Sequence, residues 1–396
     1  MDDQGLYVAY ILLYNLFFHP LRKFPGPVLA AITPVPLMFH KGTGDAVKWI
    51  NSLHIEYGPI VRSAPDELSF IQPEAWKDIY GHRGSGQLSF AKDPRFLGRD
   101  FFTKPGESPG ITRSDDVNHA RQRRLVSAGF SDKALKEQEP LLKRYVNILI
   151  EKLKIVSSNK DHSDAKVNMT DWFNFTTFDI MADLTFAEPL YLLDNSSYST
   201  WVSAIMGSFK FVTFQQLTRQ IPGLEPLLQK AIPRSIQKKK QDHLDFSARR
   251  VDNRLSMKTT RPDIWTYVLR FSDSEENRDR RLSLNQMYSI ASTFMFGGTE
   301  TTATLLSGLT YMLLRDQQKM KRLVSELRKT FATRQLITLG KLASLEYLNA
   351  CIEEALRIYP PSPMGLPRIT PATGAEICGR YVSSGVRNLT PGVDMS

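Results

Sequence analysis

Three stretches hold side chains whose types and spacing could do chemistry. Thr299-Glu300-Thr301-Thr302 sets one carboxylate among hydroxyls, directly after Gly297-Gly298 and inside an otherwise apolar run. A carboxyl and a hydroxyl at adjacent positions can feed protons to a molecule bound beside them. Glu354 and Arg357 stand three apart within Ala350–Pro361, which puts both on one helical face where they can pair. His119 and Arg123 stand four apart and also share a face, where an imidazole N–H and a guanidinium make a clamp for a carboxylate. Arginine-rich helix starts are also commonly just solvated, and an exposed Glu–Arg pair adds almost nothing to stability. The two cysteines, Cys351 and Cys378, make no disulfide framework and suit a reducing compartment. No zinc-finger spacing appears.

The element that must carry the first stretch is a proline-free apolar run from Leu284 to Arg315, with Met287, Ile290, Phe294, Leu305, Leu309 and Met312 at helical spacing. As one helix it would span about 45 Å, enough to cross a domain. Gly297 and Gly298 sit in its middle, each about 1 kcal/mol worse than alanine there. Two accounts fit. The glycines let a neighbouring backbone approach while the threonines bond back one turn, or the helix opens locally so that a flat ligand lies against it.

Further elements follow from periodicity. Helices are predicted over Leu135–Lys154, Trp172–Phe186, Trp201–Thr218 and Ile236–Met257, with a charge-laced surface helix over Asp316–Thr330. Tyr57–Arg62 and Glu67–Ile71 alternate with period two around Ala64-Pro65-Asp66, a hairpin pattern. Residues 83–114 are weakly periodic but hold Phe90, Phe96, Phe101 and Phe102, which suggests a loop packed over something apolar. Leu6–Phe18 is short for a span, which takes about 20 residues. It reads as a clipped anchor or interfacial helix, or alternatively an ordinary buried one. His19–Lys23 then brings positive charge, and Phe24-Pro25-Gly26-Pro27 a stiff hinge.

Length and composition bound the class. At 396 residues the chain makes one large or two moderate domains, and 42% hydrophobic with 23% charged residues is a globular balance. A net charge of +10 suits anionic lipid or an acidic protein partner. Nucleic acid is the weak option, because the basic residues are scattered apart from Lys238-Lys239-Lys240. Asn168, Asn174, Asn195 and Asn388 each begin a glycosylation sequon, of consequence only on a lumenal chain.

These motifs together resemble the cytochrome P450 monooxygenases, in particular the fungal microsomal type. The Gly-Gly-Thr-Glu-Thr-Thr run is similar to the distal central helix of that family, and Glu354-x-x-Arg357 to its proximal helix. The start (Phe-His-Pro-Leu-x-x-Phe-Pro-Gly-Pro) and Phe178-Asp179–Pro189 resemble fungal wording. The resemblance implies a mainly α fold with a small β-rich lobe. It implies haem as cofactor, Glu300 and Thr301 relaying protons, and His119, Arg123 and Arg368 holding haem propionates; His119 stands where the family more often has tryptophan. It also implies an NADPH-cytochrome P450 reductase as partner, an apolar small molecule as substrate, fungal secondary metabolism as setting, and the endoplasmic reticulum membrane, cytosolic side, as location.

The resemblance runs from Leu6 to about Gly385. There the family continues to a Pro-Glu-Arg-Phe meander and a Phe-x-x-Gly-x-x-x-Cys-x-Gly loop that supplies the thiolate to haem iron; this sequence reads Ser383–Ser396 instead. The expected layout is therefore residues 1–18 as anchor or interfacial helix, 19–27 as hinge, 28–382 as an incomplete family domain, and 383–396 as an unstructured tail from a frame change, a retained intron or a truncated gene. Cys351 is expected inside the core and Cys378 on a strand, neither serving as ligand, so no thiolate-ligated haem is expected. The alternatives to a monooxygenase are a non-catalytic remnant of the same ancestry and a helical binding protein that uses an apolar pocket without chemistry.

Overall fold

The computed structural model describes residues 3–84, 88–97, 109–158, 166–199, 201–203, 213–221, 234–269 and 281–391. They divide into two compact units, one formed by residues 1–101, 208–233 and 362–396 and the other by residues 102–207 and 234–361.

The first unit begins with α1 (Asp3–Phe17), α2 (Val28–Ile32), α3 (Val35–Thr43) and α4 (Ala46–Tyr57). Strands β1 (Ile60–Ala64) and β2 (Glu67–Phe70) form the hairpin that the sequence alternation predicts. Every residue of both strands is buried, so neither face of this hairpin meets solvent. Helix α5 (Pro73–Tyr80) starts on a proline, whose missing N–H is no loss in a first turn. After β3 (Ala91–Lys92) and α6 (Pro94–Leu97) the unit is completed by β4 (Arg368–Ile369), β5 (Ala375–Ile377), β6 (Arg380–Val382) and β7 (Arg387–Leu389). Five strands make one sheet in the order β1-β2-β7-β4-β3, and β5 with β6 makes a separate hairpin.

The segment from Ser383, expected to be an unstructured tail, thus supplies the middle strand of the larger sheet. Strand β7 runs parallel to β2, with Arg387 opposite Glu67, and antiparallel to β4, with Asn388 opposite Arg368. Two causes hid it from the sequence. A three-residue strand paired on both sides has no alternation to read, and Arg387 is buried by pairing rather than by apolarity. Its guanidinium, 1% exposed, lies 3.0 Å from Glu67 Oε2 and 2.7 Å from Asp93 Oδ2, both carboxylates being fully buried. It also donates to Gln220 Oε1 at 2.5 Å. Burial alone would raise the Glu67 carboxyl, but Arg387 and then Lys41 outweigh it and hold it below the ordinary glutamate value.

The chain start is fastened to this sheet. Arg62 of β1, 2% exposed, donates Nη1 to the Asn15 carbonyl at 3.1 Å and Nε and Nη2 to the Pro65 carbonyl. Its N–H meets the Pro25 carbonyl of the hinge at 2.7 Å. Burial brings the Arg62 pKa down to about 10. Helix α1 nonetheless leaves Leu6, Tyr7, Tyr10 and Phe17 more than half exposed, so the reading of an ordinary buried helix does not describe it. Among the described residues no helix is long and apolar enough to cross a membrane.

The second unit holds α7 (Asp116–Ser127), α8 (Asp132–Ser158), α9 (Met169–Phe186), α10 (Leu192–Asn195), α11 (Arg234–Ser256) and α12 (Ile264–Leu269). It continues with α13 (Leu284–Arg315), α14 (Gln317–Thr330), α15 (Leu339–Ala343) and α16 (Glu346–Ile358). Helix α13 has the bounds the apolar run predicts. Ser283 and Gln286 close a capping box at its start, and the N–H of Asp316 bonds back at its end. Of the helix predicted over Trp201–Thr218, residues 201–203 and 213–218 are helical and the rest lie outside the described residues. In the stretch 83–114, Phe90 is buried, while Phe101 and Phe102 lie outside the described residues.

Helix α9 is the hub of this unit, and its core includes Trp172, Phe175, Phe178, Phe186, Ile290, Met295 and Trp265. Two of its aspartates are structural. Asp179 accepts the backbone N–H groups of Leu190, Leu192 and Leu193, which fixes the turn into α10. Asp183 accepts the Tyr145 hydroxyl of α8 at 2.7 Å and pairs with Arg261. The sequons play structural parts too: Asn168 caps α9, and Asn174 and Asn388 are buried.

Replacing Arg387 by Met is expected to lower unfolding stability by about 3–5 kcal/mol, because two buried carboxylates lose their cation. Urea unfolding measures this, and an unchanged midpoint would mean that β7 is not held as described. Glu67 has a lowered folded-state pKa, so its contribution is complete above the ordinary glutamate range and lost as pH falls through the folded value. The gap between wild type and Arg387→Met should therefore narrow in acid.

Candidate functional site

Helix α13 answers both accounts of its glycine pair, one for each glycine. The helix is continuous through Gly297 and Gly298, so the expected local opening of its backbone does not occur. Gly298 faces α9, and a Cβ there would lie 2.6 Å from Met181 Sδ, which is close packing. Gly297 points elsewhere: it is exposed, and a Cβ there would meet nothing within 4 Å. Further along, a Cβ on Gly308 would lie 2.8 Å from the Tyr359 ring, where α13 meets the end of α16. Gly298 is thus covered by α9 and Gly308 by Tyr359, while a short patch around Gly297 is open.

Thr301 lies one turn after Gly297 on that open patch. Its hydroxyl donates to the Gly297 carbonyl at 2.6 Å, which leaves the oxygen lone pairs facing outward as acceptors. Thr299, by contrast, is buried and donates to Met295 O at 2.7 Å. Glu300 is half-buried between them, and burial pushes its carboxyl above the ordinary glutamate value. An acid so placed keeps its proton closer to neutrality, as a proton donor must.

The other site residues are distributed over both units. His119 and Arg123 lie in α7, His119 partly buried and Arg123 exposed one turn later. The arginine that ties α7 to α13 is a different one. Arg121 donates to the Arg281 carbonyl at 2.8 Å and to Gln286 Oε1 at 3.0 Å, beside the α13 capping box. Nothing in the sequence singles Arg121 out among its arginine neighbours. Arg368 opens β4 in the first unit and lies over the Tyr80 ring, 5.8 Å from its centroid.

Glu354 and Arg357 pair as the spacing predicts, through two parallel contacts of 2.7 and 2.8 Å. The pair is not buried, however: the side chains are 53% and 38% exposed. Leu356, Ile358 and Tyr359 are exposed alongside. Neither cysteine stands as expected. Cys351 is half-buried on α16 rather than inside the core, and burial raises its thiol pKa. Cys378 is not on a strand but in the β5–β6 turn, at φ 48°, with its N–H donating to Asp78 Oδ2 at 2.9 Å. Burial and then the carboxylates of Asp78 and Glu74 push its thiol up to about 11. Burial thus disfavours the thiolate form of both.

The two glycines separate experimentally. Gly297→Ala is expected to stabilise the protein by about 0.5–1 kcal/mol through helix propensity alone. Gly298→Ala should lose that gain against Met181. Equal gains in thermal unfolding would contradict the close packing on α9.

With this geometry in hand, comparison with known proteins is informative. The cytochrome P450 family model matches residues 27–390. The cytochrome P450 monooxygenase efuB of Hormonema carpetanum is 46% identical over 376 residues, covering 94% of this chain and 72% of that protein. The cytochrome P450 monooxygenase FUM2 of Gibberella moniliformis is 41% identical over 380 residues, covering 96% and 78%. The cytochrome P450 monooxygenase astA of Talaromyces wortmannii is 37% identical over 376 residues, covering 95% and 73%. A mainly helical chain with a small sheet, matched along almost its whole length in this way, belongs to the cytochrome P450 family.

Proposed function

We propose that the chain carries the distal and propionate-binding parts of a haem monooxygenase site that oxidises an apolar small molecule. The observation that carries this is the open patch of α13, where Gly297 leaves space beside Thr301 and a half-buried Glu300 whose carboxyl burial pushes upward. Haem, when bound, supplies the activation of O2 with electrons from NADPH by way of a reductase. Glu300 would be the proton source, and Thr301, whose own hydrogen stays on Gly297 O, would accept a hydrogen bond at its outward lone pairs and so hold the proton-carrying water or ligand in place. His119 and Arg123 of α7 would each serve as a partner for a haem carboxylate, and Arg368 of β4 is a further candidate for that role. The fungal origin of the relatives supports secondary metabolism as the setting, and the net charge of +10 suits an acidic reductase surface.

The sulfur ligand does not fit in the same way. A second reading is a non-catalytic remnant of the same ancestry, in which neither Cys351 nor Cys378 serves as the ligand. Purified protein of residues 1–396 should show no CO-difference band of the thiolate type. Such a band, abolished by Cys351→Ala or Cys378→Ala, would overturn the second reading and restore catalysis by this chain alone.

Membrane attachment is also proposed, with α1 as an interfacial helix on the endoplasmic reticulum and the rest of the chain on the cytosolic side. Its exposed Leu6, Tyr7, Tyr10 and Phe17 support this, since apolar and aromatic side chains of that kind insert at the headgroup boundary. Deleting residues 1–23 should move the protein from the membrane pellet to the supernatant. An unchanged distribution would assign attachment to another surface or to none.

A further inference from the structure

Helices α14 and α16 of the second unit enclose a groove of about 520 Å³ that none of the site residues above lines. On α14 its wall is Arg322, Ser325 and Lys329, which follow one another at three and four residues and so share one face. Opposite stand Glu346, Tyr347 and Ala350 from the start of α16. Glu326 joins the two helices: its Oε1 accepts the Tyr347 N–H at 2.9 Å and its Oε2 the Leu348 N–H at 3.0 Å. That carboxylate is therefore committed to capping α16.

The two cations have no such commitment. Arg322 rests its guanidinium 4.2 Å from the Tyr347 ring centroid, and Lys329 is exposed; neither forms an ion pair with a carboxylate among the described residues. Ser325 between them is exposed, and its hydroxyl bonds to no described residue. The tetrad Arg-Leu-Val-Ser occurs twice in the sequence, at 124–127 and 322–325, each time after a further basic residue. Ser127 differs in two ways. Its hydroxyl donates to the Arg124 carbonyl at 2.9 Å, and the residue four positions on is Ser131 rather than a lysine. Only Leu323 of α14 is buried, so this helix opens locally at lower cost than the core helices.

We infer that Ser325 is a phosphorylation site, written by a protein kinase that reads basic residues ahead of the serine, and that Arg322 and Lys329 hold the phosphoryl group. Lys321 and Arg322, four and three residues ahead, supply the positive charge that the acidic cleft of such a kinase selects. Transfer breaks the Oγ–H bond of Ser325 and the bond from the γ-phosphorus of ATP to its bridging oxygen. An Oγ–P bond forms, ADP leaves, and the proton goes to the base of the kinase. The attached group carries close to two negative charges, on a face whose two cations lack counter-ions. Arg322 leaves the Tyr347 ring to meet it, so the modification trades one contact between α14 and α16 for a pairing within α14. All of these residues belong to the second unit, and the inference does not depend on haem.

The full chain is incubated with ATP and the catalytic subunit of cAMP-dependent protein kinase, and the phosphate is mapped by mass spectrometry. Ser325 should be labelled in the folded chain, Ser325→Ala should lose that label, and Arg322→Gln should slow it at least tenfold. Phosphorus NMR, on chain also carrying Ser127→Ala so that one phosphate is observed, reads the seat. The second ionisation of the phosphate should move to higher pH in Lys329→Gln, because the lysine favours the dianion. Label confined to Ser127, label on Ser325 only after heat unfolding, or a rate indifferent to Arg322→Gln would each overturn the site. An ionisation unmoved by Lys329→Gln would overturn the seat.

Discussion

The close approach of α13 to α9 is the contact on which the second unit depends. At Gly298 a Cβ would fall 2.6 Å from Met181 Sδ, so a methyl group would fit only if the Met181 side chain shifted. A glycine in mid-helix costs about 1 kcal/mol of helix propensity, so the approach must be repaid by packing along a helix 32 residues long. Helix α9 can serve as that wall because Asp179 and Asp183 fix it to the turn before α10, to α8 and to Arg261. With one side of α13 pressed against a rigid partner, the side bearing Gly297 and Thr301 can remain open without loosening the helix.

Charge does in this protein some of what apolar burial does elsewhere. Arg254 and Asp263 make a two-pronged contact of 2.7 and 2.9 Å in the second unit, both almost wholly buried. The first unit centres on Arg387 between Glu67 and Asp93. Such groups repay their lost hydration only when their geometry is good, and so they restrict which partners a strand or helix accepts more than they add net stability. Arg387 therefore works as a register mark: shifting β7 by one residue would send the guanidinium to the other face of the sheet.

The sequence was legible where structure is local. The bounds of α13 could be read because the proline-free apolar run that marks them is contiguous in the sequence. The β1–β2 hairpin and the Glu354–Arg357 pair were readable for the same reason. What could not be read depends on residues far apart in the chain. Strand β7 gives no local sign, and Arg387 makes sense only beside Glu67 and Asp93. Exposure of the Glu354–Arg357 pair was equally hidden, since spacing places two side chains on one face without saying what lies beyond it.

The pairing of β2 with β7 has a temporal consequence. Glu67 and Arg387 are 320 residues apart (387 − 67) yet are direct neighbours across a parallel ladder. Pairing of such separation is slow, because the chain between must first be brought into a loop. During synthesis the β1–β2 hairpin emerges early, but β2 has no β7 to pair with until nearly 390 residues have been made. For most of its time on the ribosome the chain therefore presents an open strand edge, the kind of surface that draws chaperones or other chains. Sequence changes that leave the finished protein untouched could still alter its yield by changing how long that edge waits.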